Sequence, residues 1–224
     1  MPAVVRLRSV VCLLGRFPAL AGVDLDVDAG EVVLLSGGNG AGKTTLLRLI
    51  AGLVPVHSGD AEVLGHDLTQ DRRSHRRSLA LAGHETACYD ELTVAENLRF
   101  SARATDATEA AEADALERFG LANLTGVRHV KLSAGQRRRL TLAMALARDP
   151  RLLLLDEPHA GLDAEGRAAL DDVLTTARGA GRTVLIASHE LDRARALADR
   201  EVVLTGGQAH GSLPSVSPRE PARA

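Results

Sequence analysis

Residues 37–45, GGNGAGKTT, hold the densest concentration of potential chemistry in the chain. Gly37, Gly40 and Gly42 let the backbone bend and approach a ligand with no Cβ in the way. The backbone N–H groups of Gly37, Gly38, Asn39, Gly40, Ala41 and Gly42 can then converge as an anion nest at a helix N-terminus. Lys43 places a cation where β- and γ-phosphates would lie, Thr44 offers a hydroxyl to an accompanying Mg²⁺, and Thr45 completes the run. A strand-like segment, EVVLLS, precedes the glycines and an apolar-periodic segment, residues 46–51, follows them. The bland alternative is an ordinary glycine turn. Strand, G-x-x-x-x-G-K-[ST] and helix in that order make the phosphate-binding loop the stronger reading. The motif specifies a nucleoside triphosphate and leaves open what is done with it.

A second group of reactive residues follows the apolar run Leu152, Leu153, Leu154 and Leu155. Such a run reads as a buried parallel strand. It delivers Asp156 and Glu157 to the strand's C-terminal end, where ligands bind in open parallel sheets. Asp156 is suited to Mg²⁺ and Glu157 to orienting and deprotonating a water. Leu132, Ser133, Ala134, Gly135 and Gln136 (LSAGQ) open a helix, so Ser133 and the free N–H groups beside it form a second candidate anion site. His189 follows another apolar run, residues 183–187, and also falls at a strand end.

These groups need a scaffold, and the rest of the chain supplies one. Residues 4–11 alternate as a strand, a loop holds Gly15 and Pro18, and Val23, Leu25 and Val27 alternate with Asp24, Asp26 and Asp28. Short strands are expected at 61–64 and 79–82. Arg72, Arg73, Arg76 and Arg77 read as a solvated helix face. From residue 85 to 150 the pattern is helical: a capping box at Thr93 and Glu96, an Ala/Glu-rich helix at 107–119 stopped by Gly120, and a third helix from Ser133 to about Arg148. Helices are further expected at 166–177 and 190–198. Residues 202–204 are apolar without an evident partner. The expectation is one domain over 1–211, with 1–84 and 151–211 as an α/β core around 85–150 as a helical lobe. Residues 212–224, rich in Ser and Pro, read as a disordered tail.

Composition narrows the function. The 224 residues carry a net charge of −2, and only 2% are aromatic. Both figures argue against a nucleic-acid partner, whose recognition calls for basic patches and stacking platforms. Cys12 and Cys88 have no paired spacing, which fits a reducing compartment and no metal site. No apolar run approaches the roughly 20 residues a membrane span needs. The expected location is therefore cytoplasmic, with membrane partners supplying any membrane role.

The block KLSAGQRRRLTLAMALARDPRLLLLDEP resembles the signature-to-Walker-B region of the ATP-binding cassette (ABC) ATPases, and the resemblance extends over residues 4–204. It implies an α/β P-loop NTPase fold of ABC type: a mixed-sheet core, an antiparallel β subdomain and an inserted helical lobe. It implies ATP and Mg²⁺ as ligands and a head-to-tail dimer with itself or a paralogue. In that dimer Ser133, Gly135 and Gln136 would face the γ-phosphate held by the other chain. Asp163, in AGLD, would belong to the D-loop at the interface, and His189 would be the switch histidine near the γ-phosphate. Ala134 stands where the family usually has Gly. The family's Q-loop glutamine is missing, and His84 falls on its position beside Glu85, which makes His84 a candidate metal-side ligand. The usual adenine-stacking aromatic is also missing, and Phe17 is the only aromatic near Leu14 and Gly15. The blocks LAGHETACYDELTVAENLRF and DEPHAGLDAEGR, with LSAGQRRR, are similar to the ATP-binding subunit of bacterial heme exporters in cytochrome c maturation. The implied function is ATP hydrolysis at the cytoplasmic face of the membrane, driving export through ABC transporter transmembrane subunits. The rivals are a drug or lipid exporter subunit, a non-transport ABC ATPase, and a P-loop kinase or GTPase. LSAGQ with AGLD disfavours the last.

Overall fold

The computed structural model describes residues 3–83, 87–103, 105 and 107–214. The chain opens with a long hairpin, β1 (Ala3–Leu14) against β2 (Phe17–Asp28), in a register that sets Leu7 opposite Leu25. Val23, Leu25 and Val27 point into the core while Asp24, Asp26 and Asp28 face solvent, as their alternation requires. Pro18, expected in the loop, is the second residue of β2; this strand lies at a sheet edge, where a missing N–H costs no ladder bond. β4 (Ser58–Val63) adds to the other side of β1, and the two-residue β5 (His66–Asp67) completes a four-stranded antiparallel sheet.

The second sheet has six strands in the order β10-β9-β3-β8-β7-β6: β3 (Val32–Ser36), β6 (Leu79–Ala82), β7 (Leu152–Asp156), β8 (Thr183–Ala187), β9 (Arg200–Thr205) and β10 (Gln208–Pro214). All neighbours run parallel except β10 on β9. β3, β7 and β8 are buried along their whole length and apolar except for Ser36, Asp156 and Thr183 at their ends, because both their faces are covered. Val33, Leu35, Leu152, Leu154 and Leu185 pack with α1 (Lys43–Ile50) and the antiparallel sheet. Val32, Leu34, Leu153, Leu155, Val184 and Ile186 pack with the helices on the opposite face. These are α2 (Val94–Ala102), α3 (Glu109–Arg118), α4 (Ala134–Ala147), α5 (Ala164–Gly179) and α6 (Leu191–Leu197). The expected architecture, a mixed-sheet core with an antiparallel subdomain and inserted helices, is the one observed.

Three expectations are corrected. The apolar residues 202–204 do have partners: β9 lies parallel to β3, with Val202 opposite Leu35, and antiparallel to β10. Strand β10 continues to Pro214, three residues into the expected tail, because its backbone pairs along β9; residues 215–224 lie outside the described residues. The arginines at 72–77 are only partly a solvated face. Ser74–Ser78 form a 3₁₀ turn, and Arg76 donates to the Gly52 carbonyl at 2.5 Å. The capping box forms as expected, with Thr93 Oγ1 accepting from Glu96 N and Glu96 Oε2 from Thr93 N. Among the described residues no helix is long and apolar enough to cross a membrane.

Candidate functional site

The glycine loop joins β3 to α1 at the C-terminal edge of the six-stranded sheet. Helix α1 starts at Lys43 behind Gly42, with no side-chain cap and no acidic residue in its first turn. Its first N–H groups are therefore left to an anion. A cleft of about 360 Å³ opens here, lined by Leu14, Ala19, Asn39, Gly40, Ala41, Gly42, Lys43, Thr44, Thr45, Asp156 and Glu157. The expected phosphate loop and the expected strand-end carboxylates, more than a hundred residues apart in sequence, thus share one cavity. Lys43 is buried, and its Nζ donates to the carbonyls of Gly37 at 2.7 Å and Gly38 at 3.2 Å. The ammonium is held over the loop rather than in bulk solvent.

Gly37, Gly40 and Gly42 all take the positive φ that lets the backbone bend, as expected, and two of them carry a further constraint. Gly37 has φ 139°, and a Cβ there would meet the Leu204 carbonyl of β9 at 2.2 Å. Gly42 has φ 106°, and its Cβ would meet the Ala19 carbonyl of β2 at 2.8 Å. At both, the packing of the loop on neighbouring strands adds to the demand that the positive φ already makes for glycine. Gly40 is glycine for its φ of 75° alone, since a Cβ there would meet nothing within 4 Å.

Glu157 is held in the left-handed region at φ 49°, unusual for a residue with a side chain and costing about 1–3 kcal/mol. Five contacts with four residues hold it there. Its N–H donates to the Ala187 carbonyl at 2.8 Å, and its carbonyl accepts from Ala160 N at 3.1 Å and from Arg138 Nη2 at 2.8 Å. Its carboxylate Oε2 accepts from His189 N at 3.2 Å and lies 2.7 Å from His189 Nδ1. Since an ionised carboxylate only accepts, Nδ1 must carry the proton of this pair. Both His189 bonds fall on Oε2, which leaves Oε1 available for a further donor. Asp156 is buried at the end of β7, and Thr44 is exposed at the start of α1. A hydroxyl and a carboxylate on one cleft are hard oxygen donors of the kind Mg²⁺ takes alongside phosphate oxygens and water. His84 and Glu85 lie outside the described residues.

The LSAGQ residues take no part in lining this cleft. Ser133 is the N-cap of α4, and a capping box ties it to Gln136: Gln136 N donates to Ser133 Oγ at 3.2 Å and Ser133 N donates to Gln136 Oε1 at 2.9 Å. The Ser133 hydroxyl proton stays free to donate outward, and Ser133 and Ala134 are exposed. Gly135 faces Asp163 of the same chain, where an added Cβ would lie 3.4 Å from Asp163 Oδ2. Asp163 caps α5 through Gly166 N at 2.9 Å and accepts from Arg139 Nη2 at 3.3 Å. The signature turn and the AGLD loop therefore form a joint surface apart from the glycine-loop cleft.

Leu14 and Ala19 form the apolar wall of the cleft, while Phe17 is 80% exposed and is not among the lining residues. Sequence reading missed Arg138. The run Arg137, Arg138 and Arg139 could have exposed it, since consecutive helical positions lie about 100° apart and three of them cannot all face water on a packed helix. Here α4 is buried on all sides from Arg138 to Ala145.

The profile of the ABC transporter family matches residues 20–160. The chain is 40% identical over 187 residues to the cytochrome c biogenesis ATP-binding export protein of Paramagnetospirillum magneticum, covering 81% of this chain and 86% of that protein. It is 40% identical over 199 residues to the daunorubicin resistance ATP-binding protein DrrA3 of Streptomyces coeruleorubidus, 87% of this chain and 63% of that one. It is 38% identical to an aliphatic sulfonates import ATP-binding protein of Pseudomonas fluorescens, over 97% of this chain and 79% of the relative. Against mouse ATP-binding cassette sub-family A member 7, 37% identical, the chain spans only 9% of the relative's length. Among solved structures, the ATP-binding subunit of an ABC transporter superposes with a TM-score of 0.87 at 28% identity, covering 94% of this chain and 90% of that one. The chain belongs to the ABC transporter family, as an ATP-binding-cassette ATPase domain.

Proposed function

We propose that this chain hydrolyses ATP in sites shared between two copies, and so powers transport through separate transmembrane subunits at the cytoplasmic face of the membrane. The observation that carries the reading is the Glu157 carboxylate, on the P-loop cleft and oriented by His189 at 2.7 Å. In this reading Gly37, Gly38, Asn39, Gly40 and Gly42 offer N–H groups to the phosphates, Ala41 shapes the loop by donating its N–H to the Gly38 carbonyl at 3.2 Å, and Lys43 balances the phosphate charge. Leu14 and Ala19 give adenine an apolar wall. Thr44 and Asp156 hold Mg²⁺, which, when bound, offsets phosphate charge. Glu157 Oε1 accepts the proton of a water as that water's oxygen bonds to the γ-phosphorus. The bond to the bridging oxygen breaks, and ADP leaves with its electron pair. His189 keeps Glu157 aimed and lies beside the γ-phosphate.

The separation of Ser133, Gly135, Gln136 and Asp163 from this cleft supports a second chain as the source of the signature contact. A two-fold dimer would bring each chain's α4 N-terminus to the other's γ-phosphate, completing both sites at once. The test is phosphate release by the full chain with ATP and Mg²⁺, with Lys43→Ala and Glu157→Gln as controls. Wild-type turnover in either control would defeat the reading.

For the transported substrate we propose heme export in cytochrome c maturation. Its support is the likeness of the LSAGQ and DEPHAGLD blocks to that subfamily and the 40% identity to a cytochrome c biogenesis export protein over 86% of its length. The second reading, a drug exporter subunit, rests on equal identity to DrrA3. Deleting the gene and measuring holocytochrome c separates them: a loss supports heme export, and normal levels reject it.

A further inference from the structure

We infer that Arg138 is a positioning residue for catalysis, holding the main chain of Glu157 so that its carboxylate faces the P-loop cleft. The inference rests on the reading of Glu157 as the base. Arg138 sits in the signature helix α4, two residues past Gln136 of the capping box, with its side chain buried. Its guanidinium makes no ion pair among the described residues and instead gathers three main-chain carbonyls. Nη1 donates to Gly83, and Nη2 donates to Asp156 at 3.1 Å and to Glu157 at 2.8 Å.

These carbonyls share a location. The parallel pairing of β6 with β7 ends at Ala82 opposite Leu155. Gly83 follows the last residue of β6 and Asp156 is the last of β7, so both lie just past the β6–β7 ladder, although Asp156 still pairs with Ala187 of β8. Arg138 spans this ladder end from the α4 side. A planar fork with several donors can serve diverging carbonyls, and a point-charge ammonium cannot serve all three. Burial pushes the Arg138 guanidinium below its ordinary range, with Asp156 and Glu157 opposing that shift. The chain therefore keeps a charged fork at a costly place, and what it holds there is the strand end carrying both carboxylates.

The bond to Glu157 matters most. A left-handed conformation at a residue with a side chain persists only where its surroundings fix it. The Glu157 carbonyl has two lone pairs: Ala160 N takes one and Arg138 takes the other. Without Arg138 the peptide after Glu157 loses its restraint from α4, and the direction of the carboxylate is left to Ala187, Ala160 and His189 alone. Misplacing a reacting group by about 1 Å costs on the order of a hundredfold in rate.

The experiment uses the full chain with Arg138→Met and Arg138→Lys, alongside Glu157→Gln. It measures kcat and KM for ATP, the Kd of a fluorescent ATP analogue, and thermal melting. The expected result for Arg138→Met is a kcat lowered by about tenfold to a hundredfold, with KM and Kd within about twofold, because the P-loop is untouched. Arg138→Lys, which restores one or two of the three bonds, should recover part of that loss. A merely structural arginine would lower the melting temperature and the fraction of chain that binds the ATP analogue, while kcat per binding-competent chain stayed within twofold of wild type. A folded Arg138→Met with kcat within twofold of wild type overturns the inference, as does a rise in KM at unchanged kcat. If Arg138→Met does not fold, Arg138→Lys decides by the same criterion. An inactive Glu157→Gln beside wild-type Arg138 variants removes the inference alone. A fully active Glu157→Gln removes the base assignment, and the inference with it.

Discussion

Replacing Glu157 by glutamine separates the chemistry of the site from its architecture. The carboxylate uses Oε2 to accept from His189 N at 3.2 Å and to pair with His189 Nδ1 at 2.7 Å. A glutamine amide oxygen in the Oε2 place keeps both contacts. Its NH₂ then occupies the Oε1 place, where it can hold a water but cannot take its proton. General-base catalysis contributes about 10²–10⁴-fold, or about 2.7–5.4 kcal/mol at 1.36 kcal/mol per tenfold. The effect on stability is far smaller. Charge-assisted bonds become neutral ones of roughly half the strength at a side chain that is 25% exposed, so solvent screening keeps the loss below about 1 kcal/mol. For a chain of this size that lowers the melting temperature by at most about 4 °C. The assay pairs phosphate release with equilibrium binding of ATP and thermal melting. The expected pattern is a kcat reduced at least a hundredfold, ATP affinity within a few-fold of wild type, and a nearly unchanged melt. A drop of less than tenfold in folded protein would refute the assignment of Glu157 as the base.

Lys43→Ala should abolish hydrolysis and greatly weaken ATP binding, as read by isothermal calorimetry, because the buried ammonium at the loop is lost. Gly37→Ala drives a Cβ to 2.2 Å from the Leu204 carbonyl, so it should cost about 1–3 kcal/mol and lower the melting temperature by about 2–12 °C. Gly38→Ala, whose Cβ would meet nothing within 4 Å, should melt close to wild type in the same scan. Burial pushes the Cys88 thiol up to about 11. The thiolate fraction at pH 8 is then about 1 in 1000, against about 1 in 4 for an ordinary thiol. Labelling of the native chain by a thiol reagent should be slow at pH 8 and rise about tenfold per pH unit toward pH 10; one fast-reacting thiol at pH 8 would contradict this.

Much of the site was readable because its chemistry is local in sequence. The P-loop, the carboxylates after Leu155 and the signature serine each sit at a junction of strand, turn and helix, and composition marks those junctions. The apolar runs 152–155 and 183–187 pointed to buried strands, and β7 and β8 do pack with both faces covered. What escaped depends on contacts between distant segments. Gly37 and Gly42 are fixed by carbonyls of β9 and β2, which the motif itself does not contain. Arg138 reaches Gly83 and Glu157 from a helix buried all round, where no amphipathic period separates an inward arginine from an outward one. The partner of residues 202–204 was invisible because parallel pairing with β3 joins segments far apart in the chain.

The central claim is that each active site takes its P-loop and Glu157 from one chain and its Ser133 from another. Mixing two inactive variants tests it most directly. In a Lys43→Ala and Ser133→Arg heterodimer one site carries both lesions and the other carries neither, whereas each homodimer is damaged twice. Random pairing at equal amounts makes about half of the dimers mixed, each with one intact site of two. Independent composite sites therefore predict about a quarter of wild-type ATPase activity in the mixture and almost none in either variant alone. No recovery on mixing, with heterodimers shown to form by native mass spectrometry, would contradict the account.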